Sequence, residues 1–181
     1  MHLYNIKNLY DKQKRSSLLK NFLFISLFFL LFAPLAYSQA DTKLSDKELF
    51  DSGVASFKQG KYHEAVDRFS ALIEQAPGNA DAYKNRGVSY MKIEAYDLAI
   101  RDFETAKAIF PELNGLYSNL GVAWYYKKEY AKAIENYDIE IQMAPQNAVA
   151  YFNRALCLAE LDQNEKAQAD ATKHILDGIF D

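Results

Sequence analysis

The chain has few of the residues that build covalent or metal-bound sites. It contains a single cysteine, Cys157, among 181 residues, so no disulfide can form within it. No cysteines and histidines stand at metal-ligand spacing, and we therefore predict no metal site. A nucleophile elbow, a glycine-rich phosphate loop and a dinucleotide fingerprint are also missing. These absences predict a protein that is not an enzyme, without catalytic residues or cofactors.

Glycine and proline are scarce as well, with 7 and 4 residues, whereas half of the chain is hydrophobic and 14% is aromatic. That composition excludes a disordered chain and favours a helical protein with a substantial core. Basic residues are fewer than acidic ones, 21 against 24. A net negative protein is a poor ligand for phosphate backbones, so no nucleic-acid partner is expected.

The first forty residues differ in composition from the rest. Five basic residues precede the apolar run FLFISLFFLLFA, which ends in small residues around AYSQAD. This layout is typical of a signal peptide, with cleavage after Ser38 or Ala40. The apolar run is shorter than the roughly 20 residues of a membrane-spanning helix, although a retained N-terminal membrane anchor is the alternative. We therefore expect residues 1–40 to direct export, to the periplasm or the outside of the cell.

Removing that segment subtracts five of 21 basic and one of 24 acidic residues, which leaves 16 and 23 and a net charge of −7 in residues 41–181. This remainder repeats with a period of 34. Blocks 46–79, 80–113, 114–147 and 148–181 align without a gap. Each holds a large apolar residue, a small residue four positions later, and a second small residue twelve further on. An aromatic residue and a closing proline follow in the first three blocks, so one structural unit is repeated.

Apolar residues within each block recur at three- and four-residue spacing in two runs, which predicts two antiparallel helices per block. Ser45 with Glu48 three residues later predicts a capping box and a first helix near 46–58. A glycine recurs inside the first helices although it costs about 1 kcal/mol relative to alanine. We expect it to let the second helix approach closely, at alanines that are equally small. The predicted fold is all-α, a stacked superhelix.

This pattern resembles the tetratricopeptide repeat family over residues 46–181. The second and third blocks carry the motif in full: Tyr83, Gly87, Tyr90, Ala99, Phe103, Ala106 and Pro111, then Tyr117, Leu120, Gly121, Trp124, Ala133, Tyr137 and Pro145. The fourth block is degenerate, as expected of a repeat that caps a solenoid. The resemblance implies an α-α superhelix of four helix pairs, a protein-binding module whose first helices line a concave groove.

Asparagine returns at one position of three first helices, two residues before the small residue. The resemblance implies that this side faces the groove, where amides can hydrogen-bond an extended peptide, as in the repeats of O-linked N-acetylglucosamine transferase. An aliphatic row runs three residues further on, with aromatic residues beside it. The candidate partner-binding residues are Phe50, Val54, Lys84, Asn85, Val88, Asn119, Val122, Tyr125, Tyr126, Asn153 and Leu156. Alternatively, the asparagines bond to the neighbouring repeat and only fix the stacking.

Some tetratricopeptide domains clamp the C-terminal carboxylate of heat-shock chaperones. That clamp needs a lysine and an asparagine four residues apart, an asparagine in the next first helix, and a lysine and an arginine in the third. Here Lys84 is followed by Val88, and Val149 and Asn153 replace the final basic pair, although Asn119 fits. The chain departs from the clamp at three positions, so no chaperone carboxylate clamp is expected.

The sequence thus predicts an exported module that binds a protein or peptide partner of unknown identity, in an envelope or secretory assembly. A structural subunit that oligomerises through its repeat ends is the alternative, and a membrane-anchored accessory subunit is a more distant one. Ile175, Ile179 and Phe180 are expected to stay partly exposed at the C-terminal end, where they favour self-association. Cys157 is expected to be a buried small residue, and Asp102 to lie on a solvated face of a second helix.

Overall fold

A computed structural model describes residues 43–177, with side chains as far as residue 173. The regular structure of this part is helical throughout, which confirms the all-α prediction. Its helices are α1 (Asp46–Lys58), α2 (Tyr62–Gln75), α3 (Ala80–Lys92), α4 (Tyr96–Ile109), α5 (Leu116–Tyr126), α6 (Tyr130–Met143), α7 (Ala148–Glu160) and α8 (Asn164–Asp177). None of the described helices is both long and apolar enough to cross a membrane.

Two sets of predictions concern residues that the structure does not describe. The expected signal peptide, and the membrane anchor that is its alternative, lie outside the described residues. So do Ile179, Phe180 and the side chain of Ile175, on which the expectation of self-association depends.

Helix boundaries follow the 34-residue period. The second helices are each 14 residues long and begin 34 residues apart. The first helix begins at Asp46, and the Ser45 hydroxyl and the Glu48 carboxylate form the predicted capping box. Asn79 and Asn147 cap α3 and α7 in the same place. The first helix of the third repeat, α5, begins two residues later than the period predicts, because Gly115 directly before it has a left-handed φ of 70°.

The stacking of the helices explains the curvature of this part of the chain. Each first helix packs on its own second helix, and each second helix packs on the first helix of the next repeat. The first helices α1, α3, α5 and α7 also contact one another in succession, whereas the described second helices do not. A stack whose one side is closer together curves toward that side. The first helices therefore line the concave face, as the resemblance implies.

The helical glycines are packing residues, but their contact differs from the expected one. A Cβ placed on Gly121 would lie 2.5 Å from Cε1 of Tyr137, and the glycines of repeats one and two face Phe69 and Phe103 at 2.8 and 2.5 Å. The second-helix alanines are fully buried, yet it is the aromatic ring that needs the missing side chain. In the last repeat Ala155 stands at the glycine position, and Ala171 stands where the other repeats have the aromatic residue.

The expectation that Asp102 is solvated is wrong. Its side chain is buried, with the residue 5% exposed, and both carboxylate oxygens accept hydrogen bonds of 2.7 Å from Nε and Nη2 of Arg86. Nη1 of the same guanidinium donates to the Ser70 hydroxyl of the preceding repeat at 3.0 Å. Two oxygens satisfied by one planar fork make this burial tolerable. The hydrogen bond to Asp102 raises the pKa of Arg86.

The fourth repeat has the same arrangement. Arg154 donates two hydrogen bonds of 2.7 Å to Asp170 and one of 2.5 Å to Asp138 of the preceding repeat. Arg86 and Arg154 lie 68 residues apart, two repeat lengths, and each has its aspartate sixteen positions later. In both repeats, the arginine that pairs with an aspartate of its own helix pair therefore also donates a hydrogen bond to the preceding repeat.

Candidate functional site

The predicted groove residues lie on the first helices and differ in how much of each side chain remains free. Val54, Val88 and Val122 are half-buried, and Val88 and Val122 pack against buried clusters of the repeats. Tyr126 is 56% and Leu156 40% exposed. The aliphatic row is therefore a groove wall whose inner edge is part of the core.

A cavity of about 390 Å³ opens between α3 and α5 on this face. It brings together four of the predicted residues, namely Val88, Asn119, Val122 and Tyr126. The remaining lining residues are Met91, Lys92, Glu94 and Tyr96. The floor is thus aliphatic, an amide lies at its side, and one cation and one carboxylate stand at its rim. Such a mixture of apolar surface and few polar groups is typical of a binding pocket.

The wall of this cavity also contains Tyr96, a residue that the sequence did not predict for the site. Tyr96 is the first residue of α4, the second helix of the second repeat. Its ring stacks on that of Tyr126, with the ring centroids 5.1 Å apart and an angle of 4° between the ring planes. Desolvation, followed by the nearby Glu94 carboxylate, raises the pKa of Tyr96. Its hydroxyl therefore stays a neutral hydrogen-bond donor. The recurrence of tyrosine at the start of α2, α4 and α6 was the available signal.

Within residues 43–173, the amides of the three asparagines form no hydrogen bond between repeats. Nδ2 of Asn85 donates to the Asp81 carbonyl of its own helix at 2.7 Å. Among the described residues, the amides of Asn119 and Asn153 have no side-chain hydrogen bond. All three residues are half-exposed. The alternative role, stacking through these amides, is therefore not supported by a hydrogen bond between repeats.

Two predicted aromatic residues lie outside the cavity. Phe50 packs edge-on against Phe69 of α2, with the ring centroids 5.8 Å apart. Tyr125 turns toward Tyr130, at 5.6 Å, and packs against the cluster of Tyr137 and its neighbours. Both rings therefore contribute to the packing of a repeat as well as to the groove wall.

Lys84 is held on the same surface by two contacts. Its Nζ lies 3.1 Å from Oδ1 of Asp81 and donates to the Asn114 carbonyl at 3.4 Å. Val88 lies one turn further along α3, in the cavity floor, and Val149 is an exposed apolar residue at the start of α7. Apolar side chains thus occupy two places where the chaperone clamp requires polar ones.

Cys157 is fully buried, as expected. Burial raises the pKa of its thiol to about 11, so at neutral pH it is protonated and a weak nucleophile. Within residues 43–173, no group of three or more histidine, cysteine, aspartate or glutamate side chains is placed to hold a metal ion.

The repeats can be compared with known proteins. Residues 50–114 match the family model described as tetratricopeptide repeat. Hsp70-Hsp90 organizing protein of Triticum aestivum is 30% identical over 123 residues, which cover 68% of this chain and 21% of that protein. Small glutamine-rich tetratricopeptide repeat-containing protein 2 of Saccharomyces cerevisiae is 30% identical over 115 residues, or 64% of this chain and 33% of that one. The chain is a tetratricopeptide repeat protein.

Solved structures share its solenoid fold. MamA from Desulfovibrio magneticus RS-1 superposes with a TM-score of 0.71 at 22% identity, covering 77% of this chain and 78% of that one. The tetratricopeptide domain of Arabidopsis OM64 gives 0.61 at 21% identity, covering 62% and 93%. This tetratricopeptide repeat protein spans about a fifth to a quarter of the length of the first curated relatives that it matches. Tetratricopeptide repeats are in general protein-interaction modules without catalytic activity.

Proposed function

We propose that this protein is an exported binding module whose concave groove binds an extended, largely apolar segment of a protein partner. The single observation that carries the proposal is the row of half-exposed asparagines whose amides, in the described part of the chain, form no hydrogen bond between repeats. A half-exposed amide both donates and accepts, so a row of them fits the alternating N–H and C=O groups of an extended backbone.

The cavity beside Asn119 supports the apolar preference. Val88, Met91 and Val122 give it an aliphatic floor, and the stacked tyrosines close one side. An extended peptide held by Asn119 would place an alternate side chain into this space, which suits an aliphatic or aromatic residue. Lys92 and Glu94 at the rim supply one charge of each sign, so the pocket has no strong preference for a charged residue.

The proposed ligand is an internal segment rather than a free C-terminus. Lys84 is engaged by Asp81 and by the Asn114 carbonyl, and the clamp positions beyond it carry Val88 and Val149. The relatives named for organising Hsp70 and Hsp90 make the clamp worth testing directly. A peptide ending in a free carboxylate therefore belongs in the experiment as a competitor.

The test is a peptide selection followed by calorimetry. Peptides selected from a random library on the full-length protein are titrated into the parent and into the triple variant Asn85→Ala, Asn119→Ala, Asn153→Ala. Each amide contributes about 0.5–1.5 kcal/mol, so we expect binding about ten- to a thousandfold weaker. Asn164→Ala, an exposed asparagine at the start of α8, is the matched control and should bind like the parent.

Thermal melts separate this outcome from a loss of structure. We expect the triple variant to melt near the parent, because among the described residues these amides form no hydrogen bond between repeats. A folded triple variant with parental affinity would place the binding site elsewhere. Selected peptides that all require a free C-terminal carboxylate would contradict the internal-segment part of the proposal.

A further inference from the structure

A second cavity, of about 460 Å³, lies in the last two repeats. Its size is within the range of small-ligand pockets, about 300–1,000 Å³. The second helices α6 and α8 form its walls, and its floor is formed by Arg154 and Leu158 of α7 together with Leu161, directly after that helix. These floor residues are spaced by four and three positions, on the face of α7 opposite the groove residue Leu156. The cavity is therefore separate from the proposed peptide groove.

The preceding repeat shows what fills the equivalent space. Trp124 occupies the position of Leu158, one period earlier. Its ring packs against the buried clusters of both neighbouring repeats. In the repeat before that, the position holds another aromatic residue, Tyr90, which also packs against the core. Only in the last of these three interfaces does a smaller aliphatic side chain stand there, and there the structure has a cavity.

The entrance of this cavity also differs from the equivalent place one repeat earlier. Nζ of Lys127, directly after α5, lies 2.8 Å from Oδ1 of Asp97 on α4, so this ion pair joins the floor to one wall in the preceding repeat. The residues 34 positions later are Leu161 and Ala131, which form no ion pair. Three replacements thus leave open a space that the chain closes with its own side chains one repeat earlier.

The last repeat keeps the lysine that lies beside the Trp124 ring in the preceding repeat. Nζ of Lys132 lies 4.4 Å from the centroid of the Trp124 ring and 3.5 Å from Glu129, three residues before it. Lys166 is the equivalent residue in the last repeat, lines the cavity, and is held by Gln163, again three residues before it, at 3.0 Å. A cation over an aromatic face is attractive. The cavity therefore keeps the cation but lacks the ring.

The charges of the lining favour an uncharged ligand. Two cations, Arg154 and Lys166, and two carboxylates, Asp138 and Asp170, line the cavity, so its net charge is zero. Both carboxylates accept hydrogen bonds from Arg154 at 2.5 and 2.7 Å. Neither a strongly acidic nor a strongly basic ligand would gain from such a site, whereas a neutral ring gains from the apolar walls and from Lys166.

We propose that this cavity binds an aromatic side chain of a protein partner, an indole or phenyl ring, as a second recognition site on the side of the second helices. The ring takes the place that Trp124 fills one repeat earlier, and Lys166 covers its face as Lys132 covers Trp124. The proposal does not depend on the function of the concave groove.

The test uses N-acetyl-tryptophanamide as the probe and ligand-observed NMR on the full-length protein. The parent should bind the probe saturably. Leu158→Trp supplies the ring from the chain itself and should weaken binding at least tenfold. Ala159→Trp adds the same ring at an exposed position of the same helix and, as the matched control, should bind like the parent.

Two gentler changes keep the test decisive if Leu158→Trp does not fold. Lys166→Met removes the cation and should weaken binding about two- to fivefold. Ala131→Asp with Leu161→Lys recreates the pair of Asp97 and Lys127 at the entrance and should also weaken it. A parent that binds no probe at millimolar concentration overturns the proposal. So does binding that these variants leave unchanged, or that only Asn119→Ala lowers, since the probe would then lie in the groove.

Discussion

Each glycine of the first helices lies under the ring of the aromatic residue sixteen positions later. The pairing explains why both residue types recur and why they disappear together in the last repeat, where Ala155 and Ala171 stand at these two positions. Periodicity alone could predict that these positions face the second helix. It could not predict which atoms meet, because that depends on the ring rotamer and on the distance between the helices.

This contact predicts that Gly121→Ala destabilises the protein. The new Cβ would lie 2.5 Å from the ring of Tyr137, which is 1% exposed and has no room to move aside. Overpacking costs about 1–3 kcal/mol, whereas the gain in helix propensity returns at most about 1 kcal/mol. Urea unfolding should show a lower free energy of unfolding, and Gly121→Leu should lower it further.

A double-mutant cycle identifies the ring as the cause. In the background of Tyr137→Leu, where the ring is absent, the loss caused by Gly121→Ala should be smaller than in the parent. Equal losses in both backgrounds would mean that another neighbour of Gly121 sets the cost.

At the scale of the helix pair, the turn between the two helices has a left-handed residue at the same place in every repeat. Gly60, Glu94, Lys128 and Asp162 have φ values of 75°, 60°, 60° and 58°. Sequence breaks such as QGKY and IEAY located these turns. They did not predict the backbone conformation in the later repeats, because a glutamate or a lysine gives no signal for it.

The turn predicts that Lys128→Gly stabilises the protein. A left-handed conformation costs a residue with a Cβ about 1–2 kcal/mol, and glycine avoids this cost while losing about 0.5–1 kcal/mol more backbone entropy on folding. We expect a net gain of up to about 1 kcal/mol, seen as a higher melting temperature. Gly60→Ala is the reverse change and should lower it. A lower melting temperature for Lys128→Gly would contradict this account of the turn.

Arg86 and Arg154 each join a helix pair to the one before it. Arg86 and Asp102 stand sixteen residues apart. The side-chain pairs that a helical sequence reveals are three or four residues apart, so the sequence alone predicted a solvated Asp102. The third repeat has Leu120 and Asn136 at the equivalent positions. The chain itself thus shows an alternative that the fold accepts.

Arg86→Leu should lower the free energy of unfolding by about 3–5 kcal/mol, because it leaves the Asp102 carboxylate buried without its cation. The double variant Arg86→Leu, Asp102→Asn copies the third repeat and should lose much less. Urea unfolding of the parent and both variants measures the difference. Equal losses in the two variants would show that the guanidinium acts through packing rather than as a partner of the carboxylate.

Across the four repeats, the period of 34 predicts the number of helix pairs and their order, because each pair has an apolar face that only the next pair can cover. The groove row was predictable for the same reason, since one position per repeat faces one surface. The cavities were not. They depend on single side chains at repeat interfaces, such as Leu158 in place of Trp124 or Tyr96 beside Tyr126, whose fit no periodicity describes.

The first forty residues predict where the mature protein begins. The basic segment, the apolar run and the small residues before Asp41 support export and cleavage, so the protein from its native host should start at Gln39 or Asp41. Intact-mass measurement distinguishes these products from the precursor. Phe28→Arg, which places a charge within the apolar run, should leave the precursor uncleaved. A parent protein that keeps all of its leader would instead be a binding module held at the membrane, with its groove presented from an N-terminal anchor.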